Sequence, residues 1–69
     1  MMSTEYWNKD LGRNITVKYI LTLQNVLYEV VDIVYDNPGY VFITKEGLRI
    51  PEYNIQALGP TKGTQEKLK

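Results

Sequence analysis

The chain contains neither cysteine nor histidine. The first absence rules out a disulfide and a thiolate nucleophile, and the two together rule out the common zinc ligand sets and every Ser-His-Asp or Cys-His catalytic arrangement. The glycines are not clustered: Gly12, Gly39, Gly47, Gly59 and Gly63 are scattered rather than gathered into a phosphate-cradling loop. Charge of neither sign is in excess. Eight basic and eight acidic side chains cancel, whereas a surface built for phosphate backbone needs a basic surplus to release counterions. No apolar run approaches the ~20 residues of a membrane-spanning helix. Met1-Met2-Ser3-Thr4-Glu5 has neither the basic start nor the apolar stretch of a secretory leader. Glu29, Asp32 and Asp36 come nearest to paired carboxylates, but their spacing along one strand suits a solvated face. The expectation is a cytoplasmic, non-enzymatic protein with no catalytic residue, no cofactor, no metal site and no membrane partner.

What the chain does have is a β pattern. Its 69 residues make one domain, and at that size folding removes only roughly 60% of the unfolded chain's surface from water. Residues 1–14 form an N-terminal segment in which Ser3 or Thr4 can cap, and Gly12 can end, a short helix that exists only if Tyr6, Trp7 and Leu11 dock. Residues 15–59 are the predicted domain. From Ile15 the period is two, with Val17, Tyr19, Leu21 and Leu23 on one face and Ile20 breaking the polar one. Gln24-Asn25 turns the chain into a run from Val26 to Tyr35, in which adjacent Val30 and Val31 cannot both point inward, so a bulge or sharp bend is expected there. Asp36-Asn37-Pro38-Gly39 is the strongest turn signal. Tyr40 to Thr44 reads as a central strand, Lys45-Glu46-Gly47 as a turn, and Leu48-Arg49-Ile50 as a strand stopped by Pro51. Pro51 to Asn54 has the length of one 3₁₀ turn, and Ile55 to Leu58 returns to the first strand. The expected core is Val17, Leu21, Leu23, Val30, Ile33, Phe42, Ile50 and Ile55. Residues 60–69, locally basic through Lys62, Lys67 and Lys69, read as a flexible, disordered tail.

The fold class predicted is all-β, a small five-stranded antiparallel barrel. Strand order, the bent second strand and Arg49-Ile50-Pro51-Glu52-Tyr53-Asn54-Ile55 resemble the Src-homology-3-like and Sm-like small barrels across residues 15–59. In Sm-like proteins an Asn-Gly pair follows the first strand and contacts a base; here Asn25 is followed by Val26, and Pro51 and Glu52 stand where a basic-aromatic pair would precede the last strand. In size and style the whole chain is similar to the very small accessory proteins of bacteriophages and prophages of low-GC Gram-positive bacteria. That likeness implies a modulator of a host protein, working in the host cytoplasm.

Tyrosine is unusually frequent for so small a chain. Six tyrosines, one tryptophan and one phenylalanine exceed what one small core needs. Tyr19, Tyr28 and Phe42 read as core. Tyr35, Tyr40 and Tyr53 sit beside turns, where a rigid ring with a wet hydroxyl suits an interface. Trp7, Tyr35, Tyr40, Arg49 and Tyr53 are therefore the candidate partner-binding residues. The favoured function is a protein-binding module of unknown partner, with a homodimer through Tyr35, Tyr40 and Tyr53 as a further possibility. The alternative is a single-stranded nucleic-acid binder that stacks bases on Tyr35, Tyr40 or Tyr53 and holds phosphates with Lys18, Lys45 and Arg49.

Overall fold

The computed structural model describes residues 4–9, 11–62 and, as backbone, 64–67. Among them are eight strands and no α-helix, the only helical turn being a 3₁₀ element. The fold is antiparallel β throughout.

The N-terminal segment corrects the sequence reading. In place of a helix, β1 (Glu5–Asn8) and β2 (Arg13–Thr16) form a hairpin with Tyr6 opposite Ile15 and Trp7 opposite Asn14. Gly12 takes a φ of +68° in the turn rather than at a helix end. There its N–H donates to the Asn8 carbonyl at 2.8 Å, while Asn8 Oδ1 accepts the Leu11 N–H at 3.1 Å. The physical reason is competition. An isolated turn or two of helix is marginal in water, whereas pairing satisfies the backbone and puts Tyr6, Ile15 and Val17 on one buried face. The expected cap at Ser3 lies outside the described residues.

Next come β3 (Tyr19–Thr22), β4 (Leu27–Asp36), β5 (Gly39–Thr44), β6 (Arg49–Pro51), the 3₁₀ turn η1 (Glu52–Asn54), β7 (Ile55–Thr61) and β8 (Thr64–Lys67). Strands β3 to β8 make a sheet in the order β6-β5-β4-β3-β7-β8, so β3 holds both β4 and β7. The five strands anticipated between residues 15 and 59 are β3 to β7, with turns where Asn25, Pro38 and Gly47 were read. Asn25 and Gly47 adopt positive φ, and the Asn37–Pro38 peptide is cis. The stretch read as a disordered tail instead supplies β8, which pairs with β7.

A register slip in β4 and an interruption of the chain between β2 and β3 decide what faces the core. In β4 the pairing with β5 slips between Val30 and Asp32, leaving Val31 as the extra residue. Val30 and Ile33, three apart, can thus both be buried. The chain also breaks at Lys18, between β2 and β3. Val17 and Ile20, again three apart, are both wholly buried, so the inward parity passes to Ile20 and Thr22. Leu21 is consequently only half-buried and Leu23 is exposed, against the expectation for both. Lys18 keeps its backbone partners through the break: its N–H donates to Gly59 O at 2.9 Å, and its carbonyl accepts the Val30 N–H at 2.7 Å.

The core comprises Tyr6, Ile15 and Val17 from the hairpin and its exit, with Ile20, Val30, Ile33, Phe42, Ile55 and Leu58 from the sheet. Tyr28, Tyr40 and Ile50 pack against it, partly buried. Thr22 and Thr44 are the buried hydroxyls of the two hairpin turns. Each accepts an N–H from four residues on, Val26 at 3.2 Å and Leu48 at 3.1 Å, so neither introduces an unpaired polar group.

Candidate functional site

The pleat of β4 and β5 places the site. Ile33 pairs with Phe42 and Tyr35 with Tyr40, and residues two apart on a strand share a face. Tyr35 and Tyr40 thus continue the core face past the point where the protein covers it. Phe42 is wholly buried and Ile33 nearly so, Tyr40 is half-buried, and Tyr35 is 61% exposed. The hairpin adds the connecting ring. Tyr6, buried on β1, lies 5.6 Å from Phe42 and 5.2 Å from Tyr40, centroid to centroid, the latter edge-on at 66°. Tyr40 in turn meets Tyr35 at 5.2 Å and 75°. Phe42, Tyr6, Tyr40 and Tyr35 therefore form a continuous row from core to solvent. Edge-to-face contacts of this kind contribute about 0.5–1.5 kcal/mol each beyond area burial.

Glu52 on η1 fastens the row. Its Oε2 accepts the Tyr6 hydroxyl and its Oε1 accepts the Tyr40 backbone N–H at 3.3 Å. One carboxylate thereby ties the hairpin to β5. A Cβ on Gly39 would stand 3.3 Å from Glu52 Oε1, so the smallest residue at this end of the turn leaves the carboxylate its place. The Tyr35 hydroxyl lies 3.3 Å from Asn37 Oδ1 and 3.4 Å from Pro38 O, and can donate to either. That interaction holds the outermost ring against its own turn.

Between the hairpin and the β4–β5 turn these groups enclose a groove of about 240 Å³, lined by Tyr6, Trp7, Lys9, Tyr35, Pro38, Gly39, Tyr40 and Glu52. Trp7, on the outward face of β1, is 47% exposed at its edge. Of the five residues singled out in the sequence, Trp7, Tyr35 and Tyr40 meet here. Tyr53 does not: it is 85% exposed, outside the lining. Arg49 also lies outside, its Nη2 3.9 Å from Asp36 Oδ2 with both side chains mostly in solvent, where such a pair contributes little. The sequence reading missed Tyr6, Lys9 and Glu52 as groove residues. Glu52 and Tyr6 are 46 positions apart, and nothing in their spacing announces the bond.

Lys18 and Lys45, assigned to phosphate contacts in the alternative reading, are exposed but outside the groove lining. Among the described residues no three carboxylate, histidine or cysteine groups are placed to hold a metal ion. No described helix is long and apolar enough to cross a membrane. Comparison with protein-family models, with curated proteins and with solved structures gives no match for this chain.

Proposed function

We propose that the protein is a non-enzymatic protein-binding module, of the kind a phage uses to modulate a host protein, and that it engages its partner through the groove between the β1–β2 hairpin and the β4–β5 turn. The observation that carries this reading is the row of rings leaving the core. Burying apolar area is the main favourable term in association, and aromatic side chains supply it at low entropic cost. Tyr35 and Trp7 keep much of that area in water in the free protein.

The sheet order β6-β5-β4-β3-β7, the bulge that bends β4 and the 3₁₀ turn before β7 support a small Src-homology-3-like barrel as the scaffold. On that reading β4 serves both halves of the barrel, and the hairpin covers one end with Tyr6. The Glu52 bond to the Tyr40 N–H and the contact of the Tyr35 hydroxyl with its turn then pre-organise these rings, which lowers the ordering cost of binding.

Affinity capture from host lysate, with and without nuclease treatment, tests the reading, with the unmodified chain and Tyr35→Ser as paired baits. A protein retained by the first and lost by the second is the expected result. Retention that depends on intact nucleic acid would favour the base-stacking alternative instead.

A further inference from the structure

We infer that the groove is built to receive a single cationic side chain, an arginine presented by the bound partner. The inference rests on the protein-binding reading and specifies its ligand. Volume gives the first step. About 240 Å³ falls below the roughly 300–1,000 Å³ of sites that engulf a small molecule, yet it accommodates one long side chain. Chemistry gives the second. Trp7, Tyr35 and Tyr40 line the groove with rings that stay at least partly exposed, and aromatic ring faces carry the negative end of the quadrupole and attract a cation placed over them.

The third step is the carboxylate. Glu52 is half-buried in the lining, and its hydrogen bonds come from a hydroxyl and a backbone amide, both neutral donors. Among the described residues it has no cation within ion-pair distance: Arg49 lies against Asp36, and Lys9 lines the groove without pairing to it. Each carboxylate oxygen can accept more than one hydrogen bond. Glu52 thus keeps acceptor capacity and a negative charge that no ion pair among the described residues engages, amid aromatic rings. A guanidinium answers both features: it stacks on ring faces and offers planar N–H donors to a carboxylate. Lys9 then sits as a competing charge at the rim, and removing it should strengthen binding.

Trp7 is the only tryptophan of the chain and lines the groove, so its fluorescence reports occupancy. The probe is a short glycine–serine peptide with one central arginine, compared with the same peptide carrying citrulline, which keeps the shape and loses the charge. The arginine peptide is expected to bind with saturable change in Trp7 emission, and the citrulline peptide about tenfold more weakly. Lys9→Ser should bind the arginine peptide more tightly and Glu52→Gln more weakly. Glu52→Gln also loosens the hairpin, so the citrulline comparison and Lys9→Ser, which leave Glu52 in place, carry the decision. Equal response to arginine and citrulline, weaker binding by Lys9→Ser, or no response to either peptide would overturn the inference. None of these results touches the capture experiment with Tyr35→Ser, which judges the protein-binding reading separately.

Discussion

Ile20 and Leu23 show how far one residue's environment departs from its place in a pattern. Both belong to an alternating run, but Ile20 is wholly buried and Leu23 is 55% exposed. Ile20→Ala is expected to cost about 2–5 kcal/mol, through lost transfer energy and the cavity left behind. Leu23→Ala should stay within about 0.5 kcal/mol of the unmodified protein. Denaturant titration of the two variants checks the assignment, and a costly Leu23→Ala would reverse it. Phe42 lies at the foot of the ring row and touches Tyr6. Phe42→Ala should cost about 3–5 kcal/mol, comparable with the lower end of domain stabilities near 5 kcal/mol. The variant should therefore melt far below the unmodified protein or fail to fold, and an unchanged midpoint would remove Phe42 from the core.

At the level of elements, the hairpin depends on a turn that only a few residues tolerate. Gly12 has a φ of +68° and open space where a Cβ would go, so Gly12→Ala meets no neighbour and its effect is purely conformational. Holding an L-residue in the left-handed region costs about 1–2 kcal/mol, and for a domain this small each kcal/mol lowers the melting temperature by about 4–8 °C. Calorimetry should show that drop; a variant as stable as the parent would mean that the hairpin does not depend on this conformation. Much of the sheet was legible in the sequence because turn chemistry is local: Asn25, Pro38-Gly39 and Gly47 mark their turns by their own backbone preferences. The Val30-Val31 conflict likewise announced the bulge. Parity after Lys18 was not legible, because it is set by where β2 leaves its hairpin and β3 joins β7. The N-terminal hairpin was also missed, since a short stretch with a capping residue at one end and glycine at the other satisfies a helix and a hairpin turn alike. Tyr35 and Tyr40 were found from ring chemistry beside turns, and Trp7 as an aromatic anchor in the N-terminal segment. Glu52 was not, because its role arises only when η1 and β1 meet.

Across the whole molecule, the two ends of the sheet differ. The β6 edge is three residues long and ends in Pro51, which suits an edge that resists pairing. The β8 edge has one side on β7 and, among the described residues, no strand on the other. Unpaired edges invite another chain, and a two-fold dimer is the commonest result. Light scattering at tens of micromolar is expected to give a dimeric mass that Tyr35→Ser leaves unchanged. That arrangement keeps the groove for a different protein. A dimer lost in Tyr35→Ser would instead place the second copy on the aromatic surface.

On the proposed function, a partner binds the rings beside the β4–β5 turn rather than exposed apolar groups elsewhere. Tyr35 and Leu23 provide the comparison, being 61% and 55% exposed on different parts of the surface. A photoreactive benzoyl-phenylalanine placed at either position, illuminated in nuclease-treated cell lysate and resolved by mass, reads the surface directly. A discrete protein adduct from position 35, absent from position 23, is expected. An adduct from position 23 alone, or none from position 35, would contradict the proposed function.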